Sequence, residues 1–304
     1  DEYGGFHMRR VVHVGPLMAP GGMASVIKLL AANPPEGWRA SSCNTFSRRG
    51  SIQKLRRWQI AKKEIKNGDF DVVHIHCAAG WSYKRKISIA KVANAPVIFH
   101  IHSGKFDIDA NVELKDYEVV CLSESWSEKL KPLIGDSISV PNPVEPQPKE
   151  NVEREGFTLL MGRNDPVKGH AFAYSLGLDD LRVTGVESAP EGVTALGWVS
   201  EEEKWHLLQT AGCLIVPSEY EGQPMVILEA LSVGCPVVAS SNIPDLPDCV
   251  RTVDLDDENG WRDAIANPIT QGLEEAVAKH HVEIVSKQWG EIYGRIIDSN
   301  ASTE

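Results

Sequence analysis

The sequence lacks a Cys-x-x-Cys pair, and its six cysteines (Cys43, Cys77, Cys121, Cys213, Cys235 and Cys249) are scattered along the chain. Neither a disulfide framework nor a zinc ribbon is suggested, and the thiols read as small core residues. No run approaches the ~20 apolar residues of a membrane span. "MRRVVHVG", starting at Met8, goes directly into a strand-like segment without the apolar stretch of a signal peptide. A cytoplasmic location is expected, at most peripheral at the inner face of a membrane. Internal repeats are lacking. Aromatic residues are sparse among the basic ones and the formal charge is −11, so nucleic acid is not an expected partner. The residues before Met8, "DEYGGFH", differ in character from the rest of the chain and stand outside the fold reading.

What is present points to a folded enzyme. At 304 residues, 42% hydrophobic and 24% charged, the chain is long enough for two domains sharing one cleft. Charge divides along it: residues 8–145 hold 20 Lys and Arg against 13 Asp and Glu, whereas 146–304 hold 11 against 27. The two halves therefore have different surroundings. Between them "PNPVEPQPKENVEREG" has four prolines from Pro141 to Pro148, which no helix or central strand accommodates. This places an interdomain linker there, with domains at 8–143 and 144–283 and a terminal helix at about 284–298 returning to the first.

Both halves alternate β-rich runs with helical patterns. Strands are expected at 11–15, 71–76, 96–102, 118–123 and 137–141, then at 157–162, 181–185, 213–217 and 236–240. Helices are expected at 24–32, 52–66, 81–93, 124–132, 201–210, 224–233 and 273–297. Such alternation argues for α/β architecture, with parallel sheets covered on both faces. Ligands in doubly wound sheets bind beyond the carboxyl ends of the strands, so the loops there carry the functional reading.

One of these loops stands out. "CLIVPSEYEGQPMVILEALSVGCPVVAS" reads as strand, loop, helix, turn and strand, with Pro224 suited to the first turn, Gly234 to the C-terminal cap and Pro236 to stopping continuation. Glu221 lies ahead of the helix and Glu229 about a turn and a half inside it. Burying carboxylates costs several kcal/mol unless they are partnered. A helix N-terminus offers free N–H groups to a phosphate. A carboxylate on either side of a bound diphosphate would reach sugar hydroxyls, which supply the missing partners without a cation. Arg163 and Lys168 follow a strand in "LLMGRNDPVKGH", where two cations can converge on one diphosphate.

At these residues the sequence resembles the Glu-x7-Glu signature of retaining glycosyltransferases of the GT-B fold, in particular glycosyltransferase family 4. "GPLMAPGG", "FHIHSG", "SESWSEKL", "VPNPVE", "LLMGRNDPVKGH" and "ALGWVSEEE" agree with that family in order, and the resemblance spans about Val11 to Tyr293. It implies two Rossmann-like domains facing a central cleft that holds a nucleoside diphosphate sugar. Glu221 would contact the donor sugar and Glu229 the ribose, while Arg163 and Lys168, after Gly162, would bind the diphosphate. Gly222, Gln223, Pro224, Met225 and Val226 would line the donor at the helix start, with Gly21 and Gly22 in the N-terminal loop beside it. His102 aligns with the family's active-site histidine. The resemblance also implies retention by front-face substitution, with no cofactor and no metal. Where the commonest motif reads Gly-Phe-Gly after the first Glu, this chain has "GQP". A glycoside hydrolase, a sugar-nucleotide epimerase and a non-catalytic sugar-nucleotide binding module remain as alternatives.

Three further features admit a bland and a sharp reading. "HIH" at His74/His76 and at His100/His102 places pairs on one face of a strand, as a metal site would need. Strand-end histidines bonded to backbone are the expected reading, because no carboxylate or cysteine has matching spacing. "DLDD" (254–257) reads as solvated. "SRRGSIQKLRRWQIAKKEIKNG" (47–68) has eight Lys or Arg against one Glu. Its Ile52, Leu55, Trp58, Ala61 and Ile65 recur at helical spacing, which predicts one stripe facing the core and lysines and arginines outside. Segment 47–66 is thereby a candidate contact for an anionic, lipid-linked acceptor or an anionic leaflet, against the bland reading of a solvated helix.

Overall fold

The computed structural model describes residues 8–78, 81–102, 113–148 and 152–301. They form two compact units, Asp1–Pro143 with Val282–Glu304, and Val144–His281. In the first unit, β1 (Arg9–Gly15), β2 (Trp38–Asn44), β3 (Val72–Cys77), β4 (Val97–Ile101), β5 (Glu118–Cys121) and β6 (Ile138–Ser139) form a parallel sheet ordered β2-β1-β3-β4-β5-β6. Helices α1 (Gly22–Ala32), α2 (Ser51–Asn67), α3 (Trp81–Ala90) and α4 (Glu124–Ile134) connect them. Strand alternation sorts the side chains. Val12, Val14, Val73, Ile75, Phe99 and Ile101 enter one core with Ile65 of α2, Ile87 of α3 and Leu130 of α4. His13, His74, His76 and His100, of opposite parity, share the other face.

The second unit repeats the plan. Strands β7 (Thr158–Leu160), β8 (Leu181–Val183), β9 (Val193–Ala195), β10 (Cys213–Val216), β11 (Val237–Ser240) and β12 (Arg251–Val253) are parallel in the order β12-β11-β10-β7-β8-β9. Its helices are α5 (His170–Ser175), α6 (Glu201–Thr210), α7 (Met225–Ser232), α8 (Glu258–Ala266) and α9 (Leu273–Ala276). The helix expected over 273–297 is interrupted. After α9 and a short 3-10 turn, the Val144 N–H donates to His280 O at 2.7 Å, and Val144 pairs with His281 as an isolated parallel bridge. Only then does α10 (Val282–Ala301) begin. It packs in the first unit, where Ser286 Oγ donates to Asn33 O at 2.8 Å and Arg295 meets Glu118 at 3.1 Å.

The stripe expected on α2 is only half realised. Ala61 and Ile65 are buried and Trp58 is half-buried, but Ile52 is 75% exposed, Leu55 53% and Ile60 50%. The helix meets the core through its C-terminal turns, so its first turns present apolar residues outward beside exposed Arg48, Arg49, Lys54, Arg56, Lys63 and Lys66. Arg57 and Lys62 do not belong to that outer surface. Arg57 donates to Asn44 O at 2.5 Å, and Lys62 stands 5.5 Å over the Trp58 ring.

Candidate functional site

In the second unit two loops meet at the carboxyl ends of adjacent strands. After β7, Gly162 N–H donates to Thr184 Oγ1 at 3.0 Å. Asp165 then caps a 3-10 turn at Pro166–Lys168, its Oδ1 accepting from Val167 N–H at 3.1 Å. Gly169 follows with φ +76°, where a Cβ would stand 2.2 Å from Pro217 O, so only glycine lets the loop approach the end of β10 this closely. Glu219 N–H donates to Val167 O at 2.9 Å and ties the loop after β10 to it. This places Lys168 on Glu221, whose carboxylate also accepts from Ser218 Oγ at 3.0 Å. Arg163 turns to Asp165 instead, at 2.9 Å, and that guanidinium, followed by the Val167 N–H, holds the Asp165 pKa below its ordinary value. The two cations expected on one diphosphate thus each have a carboxylate partner.

The helix opens one residue later than its sequence suggests, with Pro224 as N-cap and Met225 as first residue. Pro224, Met225 and Glu229 are buried; Glu221, Gly222, Gln223 and Val226 are half-buried. Glu229 has a cationic partner within the protein. Lys204 Nζ lies 2.8 Å from its Oε1 and 2.7 Å from Glu201 Oε2. Burial drives the Glu229 pKa up, and the lysine offsets only part of this. For Lys204, burial pulls the pKa down, but Glu229 and Glu201 outweigh it and the result is raised, so the amine is held charged. We take the ion pair as the governing state, because Lys204 has two carboxylates within 2.8 Å. Lys204 was not legible as a site residue: its place beside Glu201 at the start of α6 reads as a surface i, i+3 pair. "DLDD" is likewise local, with Asp257 capping α8 through Gly260 N–H at 2.8 Å.

Gly21, Gly22 and His102 lie in the first unit. Gly21, at φ +129°, precedes α1, which Gly22 begins. His102 follows β4 and belongs to a histidine ladder. Instead of bonding to backbone as expected, these rings bond to one another. His13 Nδ1 is 3.0 Å from His76 Nε2, and His76 Nδ1 is 3.0 Å from His102 Nε2. A second row runs from Tyr293 Oη to His74 Nδ1 at 2.7 Å and from His74 Nε2 to His100 Nδ1 at 3.2 Å. Burial lowers the pKa of His13 and of His102 to about 3, and those of His74, His76 and His100 well below the ordinary value. The rings are therefore neutral at pH 7. His13 carries a signal that the "HIH" pairs overshadow: a histidine inside the apolar "VVHVG", in register with His74. On α3, Lys86 is buried, its Nζ has no hydrogen-bond partner among the described residues, and burial lowers its pKa to about 8.

Comparison with known proteins agrees with this architecture. Residues 187–280 match the family described as glycosyl transferases group 1. An 80-residue stretch is 40% identical to O-antigen chain mannosyltransferase B of Escherichia coli, covering 26% of this chain and 21% of that protein. Among solved structures, sucrose-phosphate synthase from Thermosynechococcus elongatus aligns with a TM-score of 0.73 at 16% identity, covering 96% of this chain and all of that one. The lipopolysaccharide outer core galactosyltransferase WaaB aligns at 0.59 and 15% identity, covering 94% and 99%. The chain thus has the GT-B fold seen in glycosyltransferases, and residues 187–280 are similar to the glycosyl transferases group 1 family.

Proposed function

We propose that this protein is a retaining glycosyltransferase that moves a hexose-type sugar from a nucleoside diphosphate sugar to an acceptor hydroxyl. The observation that carries the reading is the pair Glu221 and Glu229 on either side of the α7 N-terminus, each held by a lysine from a neighbouring element. Glu229 accepts from the ribose hydroxyls and Glu221 from the sugar, with Lys168 moving from carboxylate to phosphate as the donor binds. Arg163 and the N–H groups at the start of α7, with Gly222 and Gln223 ahead of it, share the diphosphate charge. Gly162, Met225 and Val226 shape that side of the donor. In the transfer step the acceptor oxygen bonds to the anomeric carbon from the face that the diphosphate leaves. The carbon–oxygen bond to phosphate breaks, and the hydroxyl proton passes to a phosphate oxygen. His102 contacts the sugar near the reacting carbon. The chain supplies positioning and electrostatics and needs no metal for nucleotide departure.

The acceptor is anionic or lipid-linked on this reading, and the protein works at the cytoplasmic face of a membrane. Among the described residues no helix is long and apolar enough to cross one. The support is α2 and the residues just before it, where outward Ile52 and Leu55 among exposed Arg48, Arg49, Arg56 and Lys63 suit an anionic leaflet. The names of the relatives, an O-antigen mannosyltransferase and a lipopolysaccharide galactosyltransferase, fit surface-polysaccharide or glycolipid synthesis.

The test is a thermal-shift screen of nucleotide sugars, followed by nucleotide release with and without glycolipid acceptors and determination of the product anomer. Transfer with retention is expected. An inverted product overturns the retaining class. Conversion of the donor sugar without acceptor identifies an epimerase, binding without turnover a silent module, and cleavage of glycosides without nucleotide a hydrolase.

A further inference from the structure

We infer that His76, His100 and His102 form a binding site for a transition-metal ion such as Zn2+ in the first unit. One ring nitrogen from each lies within 4.8 Å of the others. His76 Nδ1 and His102 Nε2 face each other at 3.0 Å. His100 Nε2 is buried and has no hydrogen-bond partner among the described residues. Zinc–imidazole bonds of ~2.0–2.1 Å in a tetrahedron set the nitrogens about 3.4 Å apart, so the facing pair need open by only about 0.4 Å.

The surroundings favour coordination. A metal-bound imidazole uses one nitrogen and donates a hydrogen bond from the other. A single arrangement of ring protons meets this requirement along both rows: His76 Nε2–H donates to His13 Nδ1, His100 Nδ1–H to His74 Nε2, and His74 Nδ1–H to Tyr293 Oη. That arrangement leaves His76 Nδ1 and His100 Nε2 with free lone pairs. His102 joins them as its Nδ1–H tautomer. The ion takes the place of the proton between His76 and His102, and no proton need leave the neutral cluster. Burial already keeps the rings neutral, as ligation requires. The alternative trio His13, His74 and His76 is fully buried, whereas His102 of the chosen trio is half-buried. Three imidazoles without a carboxylate select Zn2+, Ni2+, Co2+ or Cu2+ over Mg2+ or Ca2+. The like charge of Lys86, felt at His102, further disfavours ions that depend on charge alone.

The consequence for activity rests on the function proposed above: an ion on His102 withdraws it from the sugar, so the site is inhibitory and not a catalytic centre. Binding itself is tested without donor or acceptor. Chelator-treated protein is titrated with Co2+ while its visible absorption is followed, and the Co2+ is then displaced with Zn2+. One equivalent with intense tetrahedral-type absorption is expected, lost in His102→Gln and His100→Gln and kept in His206→Gln, a histidine exposed on α6. Melting curves establish that each variant is folded; if buried His100→Gln is not, half-buried His102→Gln decides. No saturable absorption in the parent, or absorption that persists in folded His102→Gln, overturns the assignment. Inhibition of transfer by Zn2+ is a separate measurement, and its absence alongside intact binding overturns the inhibitory role.

Discussion

Lys204 Nζ lies 2.8 Å from Glu229 Oε1, joining the first turn of α6 to the middle of α7. Both side chains are nearly buried, at 13% and 10% exposure. Lys204→Met therefore leaves a buried carboxylate without its cation, and a loss of about 3 kcal/mol is expected in denaturant unfolding. Lys204→Met combined with Glu229→Leu should recover most of it. A loss in the double variant equal to the sum of the two single losses would show that the pair is not coupled.

Gly169 tests the loop that carries Lys168. Gly169→Ala adds a methyl group 2.2 Å from Pro217 O at a left-handed φ, so at least ~2 kcal/mol of stability should be lost. In the fraction that remains folded, donor binding should weaken as well, although no charge is removed. Parent-like melting and donor affinity would mean that the loop tolerates a shift.

Lys86 gives a pH signature. Its pKa falls from 10.5 to about 8, first through burial, with Cys77 opposing the shift and Arg85 adding to it, and the gap corresponds to about 3 kcal/mol. The unfolded chain binds the proton more tightly, so stability should rise with pH between about 8 and 10.5, the cost being complete below that window and absent above it. Lys86→Met should be more stable than the parent at pH 7, with the difference shrinking toward pH 10. Parallel stability curves for the two proteins would contradict this.

The surface of α2 is tested by sedimentation with vesicles. Each basic residue near an anionic leaflet contributes ~1 kcal/mol, and exposed Ile52 and Leu55 add apolar insertion. Arg48, Arg49, Arg56 and Lys63 changed to Glu should abolish binding to anionic vesicles, and Ile52 and Leu55 changed to Ser should weaken it. Equal binding to neutral vesicles, or no loss in the charge variant, would leave a soluble acceptor as the simpler account.

Much of this architecture was legible in the sequence, and the exceptions share a cause. Strands β1, β3, β4, β10 and β11 announce themselves as apolar runs because both faces are covered. The strands missed, β2, β9 and β12, all lie at sheet edges, where "WRASSCN", "VTA" and "RTV" need little apolar character. The placement of Glu221 ahead of α7 and of Glu229 within it could be read because proline and glycine punctuate that helix. Lys204 could not, because its partner lies on another helix and sequence spacing does not encode that contact. The stripe of α2 misled for a similar reason: periodicity gives a face, but only packing determines how many of its turns are covered.

The most direct measurement is calorimetric titration of the parent, Glu221→Ala and Glu229→Ala with a nucleoside diphosphate and with the corresponding nucleotide sugar. At a ligand concentration 100 times the dissociation constant, the parent should also gain ~2.7 kcal/mol of stability. Glu229→Ala should bind both ligands more weakly, whereas Glu221→Ala should keep the affinity for the nucleotide and lose affinity only for the nucleotide sugar. If both variants bind both ligands as the parent does, the donor is not held by these two carboxylates.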